Sequence, residues 1–379
     1  MQPTATQSTK YILERQQFDT LISTLQKNCY STIGPTVCDN AIVYGEIMKT
    51  NDLPIGWTDE QERGTYRLKK RNDNALFGYV VGPQSWKKFL FPSSLKIFSA
   101  TLNEKGFQVT NEVPKETKYA FIGMRACELY AIAIQDKIFL NGQFIEPQYK
   151  QLREDAFFIA VNCGQAANTC FCDSMQTGPQ ADKYFDIALT EICNEKEHYF
   201  IIESGSEKAK KILSELSLTS AEKKHDDIIA ESTNTAVKQM KRNLDTTNTK
   251  RILYEQFDNP HWDEIATRCL NCANCTMVCP TCFCTTVEDV TDLTGDNAER
   301  WRKWDSCFTM DYSYIHGGSL RASGKSRYRQ WMTHKLSSWY DQFGTSGCVG
   351  CGRCITWCPV GIDITEEAKV FQQAKKITK

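Results

Sequence analysis

The sequence predicts an α+β or α/β N-terminal domain, then a mainly α-helical C-terminal domain built around clustered cysteines. Three observations carry this. Strand-sized apolar runs alternate with helically spaced ones over residues 1–205. Composition turns to Lys, Glu, Thr and Asn over residues 206–250, with no aromatic residue, which reads as a helical linker. Residues 251–379 then hold 11 of the 18 cysteines, with many aromatic and basic residues. A chain of 379 residues accommodates two or three domains, so the expected division is 1–205, 206–250 and 251–379.

The elements follow in order. Residues 1 to about 115 mix polar helical stretches with short apolar runs, and Leu76 to Val81, closed by Gly82-Pro83, reads as a strand. Residues 118–124 read as a second strand, ending at Arg125-Ala126-Cys127-Glu128. Residues 129–139 then have helical spacing of apolar residues. Residues 156–161 form a third buried strand, followed at once by Asn162 and Cys163. Farther on, residues 296–315 and 327–343 are helix-compatible.

Charge and leader signals narrow the class. Lys plus Arg number 45 and Asp plus Glu 46, a net charge of −1, which argues against a nucleic-acid partner. The first twenty residues lack a basic segment followed by an apolar one, so no secretory signal is expected. No run approaches 18 apolar residues, so no membrane span is expected. The expected setting is cytoplasmic and reducing, where clustered cysteines bind metal more often than they form disulfides.

One repeat carries the chemistry. Residues 269–280 and 348–359 both read C-x2-C-x2-C-x3-C-P, with Cys269, Cys272, Cys275 and Cys279 in the first copy and Cys348, Cys351, Cys354 and Cys358 in the second. Two-residue gaps let three thiolates of one tight loop face a common point, while the fourth reaches the other cluster of a pair. Pro280 and Pro359 end the loops, and Gly350 and Gly352 let backbone N–H groups approach sulfur. Structural zinc usually pairs two C-x2-C hooks, four ligands in all. The repeat fits two [4Fe-4S] clusters better. With crossed ligation, Cys269, Cys272, Cys275 and Cys358 hold one and Cys348, Cys351, Cys354 and Cys279 the other. The long separation of Cys279 from Cys348 favours an α-helical ferredoxin-type domain over a small two-cluster fold.

A third constellation lies upstream. Cys163, Cys170 and Cys172 fall within ten residues, and Cys127 is the best fourth member because it too follows a strand. Adjacent strands would bring both strand ends together, and a helix N-terminus would favour the Cys127 thiolate. By spacing alone, buried reduced cysteines fit as well. Cys282 and Cys284 read as packing beside the first motif, or else as a redox pair. Cys29, Cys38, Cys193 and Cys307 read as isolated buried thiols, and His261 beside Trp262 as packing. The basic run Arg321, Lys325, Arg327, Arg329 and Lys335 reads as a solvated helix face, or as a cationic flank to the clusters. Gly324-Lys325-Ser326 lacks the upstream Gly of a P-loop. No G-x-G-x-x-G opens a helix, so neither flavin nor nicotinamide is expected in this chain. No catalytic constellation is expected.

The segments around both motifs, with residues 162–179, 123–132 and 327–336, resemble the β subunit of soluble NAD(P)-linked nickel–iron hydrogenases, the sulfhydrogenases. They resemble equally the matching dicluster protein of anaerobic sulfite reductase. The resemblance spans roughly residues 118 to 365. It implies a 4Fe-4S electron-transfer component of an oxidoreductase complex, relaying electrons between a flavin-containing NAD(P)H-binding subunit and the catalytic one. That catalytic subunit is a NiFe hydrogenase or a siroheme protein. The resemblance also implies a third [4Fe-4S] cluster on Cys127, Cys163, Cys170 and Cys172. Two rivals stay open: a subunit that itself reduces polysulfide, and a zinc-ribbon interaction protein.

Overall fold

The computed structural model describes residues 10–113 and 116–374. The expectation about an N-terminal leader rests partly on residues 1–9, which lie outside these. In chain order the first elements are β1 (Lys10–Glu14), α1 (Phe18–Lys27), β2 (Ser31–Cys38), β3 (Ala41–Glu46), the ribbon β4–β5 (Trp57–Glu62, Thr65–Lys70), α2 (Lys87–Leu90) and the hairpin β6–β7 (Ser94–Asn103, Gly106–Asn111). There follow β8 (Tyr119–Met124), α3 (Ala126–Phe139), α4 (Pro147–Asp155), β9 (Phe157–Val161), β10 (Ile187–Cys193), β11 (His198–Ser204), α5 (Glu207–Ser214), β12 (Thr219–Ser220) and α6 (Lys224–Gln239). The remainder is α7 (Thr249–Glu255), α8 (His261–Arg268), α9 (Asn274–Met277), β13 (Thr285–Thr291), β14 (Asn297–Trp304), α10 (Gly324–Thr333), α11 (Trp339–Phe343), α12 (Arg353–Thr356) and α13 (Ile364–Gln373).

The main sheet runs β12-β1-β11-β10-β9-β8-β2-β3. Its centre is parallel, β2 with β8, β8 with β9 and β9 with β10, and its flanks are antiparallel. The fold is therefore mixed α/β. The central strands bury both faces, which is why they read as continuous apolar runs. Ala120, Ile122, Phe157, Ile159 and Val161 point to the face covered by Phe18, Leu21, Ile22 and Leu25 of α1 and by Ile212 and Leu213 of α5. Phe121, Phe158 and Ala160 point the other way, against Leu129 and Ile132 of α3 and Tyr149 and Leu152 of α4. Each large side chain buried this way contributes about 1.5–3 kcal/mol.

Several expectations need correction. Leu76 to Val81 is buried but is not a strand. Its backbone donors go to side chains instead of a ladder: Leu76 and Phe77 N–H to Glu191, and Val80 N–H to Asp59 at 2.7 Å. Residues 296–315 are not helical. β14 lies between β13 and β6 in a four-stranded sheet with β7, so distant pairing overrides local helix compatibility. This hairpin also means that the C-terminal region is not mainly α-helical. Residues 327–343 are helical, with a widened π turn at His334–Ser338 between α10 and α11. Over 206–250 the chain forms α5, α6 and β12, which pairs with the sheet edge at β1. No helix among the described residues is long and apolar enough to cross a membrane.

Candidate metal centres

The two repeat loops share one backbone design. In the first, Asn271 (φ 53°) and Ala273 (φ 64°) adopt the left-handed conformation before α9 carries Cys275. In the second, Gly350 (φ 67°) and Gly352 (φ 75°) do the same before α12 carries Cys354. The first left-handed residue of each copy aims its N–H at that copy's first cysteine, Asn271 to Cys269 Sγ and Gly350 to Cys348 Sγ, both at 3.4 Å. Ile362 N–H reaches Cys358 Sγ at 3.3 Å. N–H groups aimed at sulfur favour the thiolate and tune whatever metal it holds.

The cysteines gather around three cavities. Cys269, Cys272 and Cys275 share one with Cys358 and Cys354. Cys348, Cys351 and Cys354 share a second with Cys279. Cys127, Cys163, Cys170 and Cys172 share a third with Cys351. Each motif's last cysteine thus faces the other motif's loop. The cavities form a row, because Cys354 borders the first and second and Cys351 the second and third. The third and second are alike in size, each with about 300 Å³ of space between atoms, part of it open to solvent. Zinc would need ligands about 2.3 Å from one point. Among the described residues no group of three or more Cys, His, Asp or Glu side chains is placed to hold a single metal ion.

The third site grows from the sheet. β8 and β9 are adjacent and parallel, so the turns that follow them meet. Cys127 lies in the first turn of α3, and Cys163 follows Asn162, whose side chain bonds Thr190 Oγ1 at 2.9 Å and Ala181 N–H at 2.8 Å. The loop bearing Cys170 and Cys172 lies on the second motif: Phe171 N–H donates to Gly350 O (2.9 Å), and Thr177 Oγ1 donates to Val349 O (2.6 Å). A Cβ on Gly352 would sit 2.4 Å from Thr169 O, and one on Gly350 2.6 Å from Phe171 O. The glycines of this copy are therefore a packing requirement. The first copy has Asn and Ala at the same two places.

Burial makes bare thiolates expensive here. It pushes Cys127, Cys172, Cys275 and Cys354 well above the ordinary thiol range, helped by neighbouring cysteines, and pushes Cys170 and Cys348 up to about 12. A cationic metal core would supply the missing counter-charge, since a coordinating thiol is deprotonated outright. The linings also hold donors with nothing to donate to. Among the described residues, Trp331 Nε1 and Tyr328 Oη at the first cavity have no hydrogen-bond partner, while Arg125 and Arg353 reach the thiols of Cys163 and Cys351 at the third and second. Buried donors are normally satisfied. Inorganic sulfide in the cavities would satisfy these.

Several of these residues escape sequence reasoning. Arg353 is fully buried, donates to Gly82 O (2.9 Å) and Gln84 O (3.0 Å), and pairs with Glu128. Glu128 also accepts from Trp86 Nε1 (2.9 Å) and from Arg125 N–H (3.0 Å). Charges bracketing Cys127 and lying between Cys351 and Cys354 were the available signal, because a charge buried at a site must be paired. The β4–β5 ribbon was missed as well: Gly64 N–H donates to Ile355 O at 3.1 Å, and Arg63 grips Glu366 with two bonds of 2.8 Å.

Other cysteines differ from expectation. Cys29, in a turn, and Cys38, at the end of β2, are exposed rather than buried, and Cys193 is half-buried. Cys307 is not isolated. It hydrogen-bonds Cys284, whose thiol is held down to about 6 by that bond and by Tyr312. Cys282 leans on Cys279. Neither Cys282 nor Cys284 lines the three cavities. His261 is not mere packing, since it bonds Glu264 (2.9 Å) and Glu367 (2.6 Å). Lys335 does not lie on a solvated face: it is buried at Cys279 Sγ, 3.3 Å away.

Residues 268–362 match the family described as 4Fe-4S dicluster domain. A curated relative, sulfhydrogenase 2 subunit beta of Pyrococcus furiosus, is 29% identical over 321 residues, covering 83% of this chain and 91% of the relative. No solved structure matches the chain. The chain is therefore similar to a sulfhydrogenase β subunit along most of its length, and it carries a 4Fe-4S dicluster domain over residues 268–362.

Proposed function

We propose that the chain is a cytoplasmic electron-relay subunit of a soluble nickel–iron hydrogenase. On this reading it links a flavin-containing NAD(P)H-binding subunit to the catalytic subunit. Three [4Fe-4S] clusters lie in a row. Cys127, Cys163, Cys170 and Cys172 hold the third cluster at one end, Cys279, Cys348, Cys351 and Cys354 the middle one, and Cys269, Cys272, Cys275 and Cys358 the one at the other end. The observation that carries this is the row itself: twelve cysteines in three sets, each around its own cavity, with Cys351 and Cys354 at the two joints. A bound [4Fe-4S] cubane stores and releases single electrons.

The chain's own residues do the rest. Phe308, Tyr328, Trp331, Ile362 and Ile364 keep water from the first-motif site, while exposed Cys272 and Leu270 bring that site to the surface. Arg125 lies against Cys163 at the third cavity and Arg353 against Cys351 at the second. The test is iron and labile sulfide in the complex purified without oxygen. About twelve irons per chain are expected, and about eight would remove the third cluster. Zinc without labile sulfide would overturn the whole reading. Sulfur reduction by the isolated chain with an artificial donor would make it catalytic instead. Nickel in the complex is expected, and siroheme in its place would assign a sulfite reductase.

A further inference from the structure

Lys335 is buried in the π turn between α10 and α11, a kind of turn frequent at functional sites. Its ammonium donates to Cys279 Sγ (3.3 Å), Thr281 Oγ1 (3.0 Å) and Gly347 O (2.9 Å). Three acceptors match the three N–H bonds of a protonated lysine, which accepts none. A buried charge needs a partner of opposite sign. Yet among the described residues Lys335 forms no salt bridge with a carboxylate.

The other buried cations nearby are differently placed. Arg353 is paired with Glu128. Lys87 donates to the backbone carbonyls of Cys279 (3.1 Å) and Cys282 (3.0 Å) and lies over the Trp304 ring. Arg125 donates to the carbonyls of Phe77 (2.8 Å) and Tyr79 (2.7 Å). Arg125 and Arg353 also reach sulfur, at Cys163 and Cys351, but the charge of Arg353 is met by Glu128; Lys335 reaches sulfur with no carboxylate partner among the described residues, and Cys279 is the ligand that crosses from the first motif to the second cavity.

We propose that Lys335 is the built-in counter-charge of the middle cluster and sets its reduction potential. This rests on the ligand sets proposed above. Reduction adds one electron, supplied by the donor subunit or in the test by dithionite, and no proton or ligand leaves. The added negative charge falls within reach of the ammonium, at low dielectric, where the attraction is strong. Lys335 therefore favours the reduced form and raises the potential of that cluster. It is a positioning residue, touching the reaction through Cys279.

The test compares Lys335→Gln, which keeps N–H donors and loses the charge, with Lys335→Arg, which keeps the charge. Both are made in the full chain and followed by iron content and by EPR-monitored redox titration. Expected is a shift of one cluster's reduction equilibrium by tenfold or more toward the oxidised form in Lys335→Gln, about 59 mV on a one-electron couple. The other clusters should stay in place, and Lys335→Arg should titrate near the unsubstituted chain. Loss of iron from Lys335→Gln with full iron in Lys335→Arg would equally mark the charge as required. Full iron with an unmoved titration in Lys335→Gln would overturn the proposal. So would loss of iron from both variants alike, which would make shape the requirement. The unsubstituted chain separates this from the underlying reading: if it binds no iron, the ligand sets themselves fail.

Discussion

Replacing Gly352 by alanine tests the joint between the second motif and the third site. Gly352 has φ 75°, where an L-residue pays about 1–2 kcal/mol. The new methyl would also sit 2.4 Å from Thr169 O and 2.6 Å from its carbonyl carbon, backbone atoms that cannot rotate aside. Overpacking of that kind costs about 1–3 kcal/mol. The two terms together reach about 2–5 kcal/mol, a large share of the roughly 5–15 kcal/mol that holds a typical domain folded. The strain falls between Thr169, one residue before Cys170, and the loop of Cys351 and Cys354. Gly352→Ala is therefore expected to lose iron from the two adjoining sites and to keep about four irons at the first-motif site. Ala273 supplies the control. It holds the same place in the first copy with φ 64°, so Ala273→Gly should be neutral or stabilising by no more than about 1 kcal/mol. Iron per chain and thermal unfolding of anaerobically purified protein read both outcomes. A Gly352→Ala protein with full iron and an unshifted transition would refute the reasoning.

Two further predictions follow from the same geometry. Cys279→Ser should alter the EPR signal of the second-motif cluster and leave the first-motif cluster in place, and Cys358→Ser should do the reverse; the opposite assignment would exclude crossed ligation. Lys10 ties β1 to Asp226 (2.5 Å) and Glu203 (3.4 Å). Burial alone would lower its pKa, but the hydrogen bond to Asp226 and both carboxylate charges outweigh that and raise it above 10.5. Its contribution is therefore fully present below pH 10.5 and disappears as pH rises through the folded value. The advantage over Lys10→Met in thermal unfolding should be no more than about 1 kcal/mol, level up to that pH and vanishing above it.

Legibility in the sequence followed how local each signal was. The cysteine spacings encode a loop whose thiols face one point, and no distant residue alters that. The placement of Cys127 with Cys163 was readable too, because parallel neighbouring strands bring their C-terminal ends together. The strand Asn297–Trp304 was not legible, since its pairing partner Ser94–Asn103 lies about two hundred residues away and nothing in ERWRKW announces it. Leu76 to Val81 looked like a strand because it is buried and apolar, but carboxylates of Glu191 and Asp59 take its donors. Lys335 looked like part of a solvated stripe, since its neighbours Lys325 and Arg329 are partly exposed. The inserted residue of a π turn shifts the helical phase, so a stripe drawn at 3.6 residues per turn puts it on the wrong face.

The repeat itself hides an asymmetry that the fold resolves. Two copies of one motif have the same left-handed positions, yet glycine occupies them only where another loop lies against the backbone. The second copy is therefore the inner one, with the first copy on one side and the Cys170–Cys172 loop on the other. Charge follows the same division. Arg353, inside the second copy, is neutralised by Glu128, and Glu128 belongs to the first turn of α3 beside Cys127. Breaking such a buried pair from one side costs about 3–5 kcal/mol, so neither turn is stable in this form without the other. Tyr44 and Trp86 donate to the same carboxylate, at 3.1 Å and 2.9 Å, and fix it from the sheet and from α2. The third site is thus held to the dicluster region by backbone contact, by one buried ion pair and by Thr169 with Thr356 at 2.8 Å. A relay needs fixed distances between its stations, and these rigid, buried, short-range ties are what would fix the inner one.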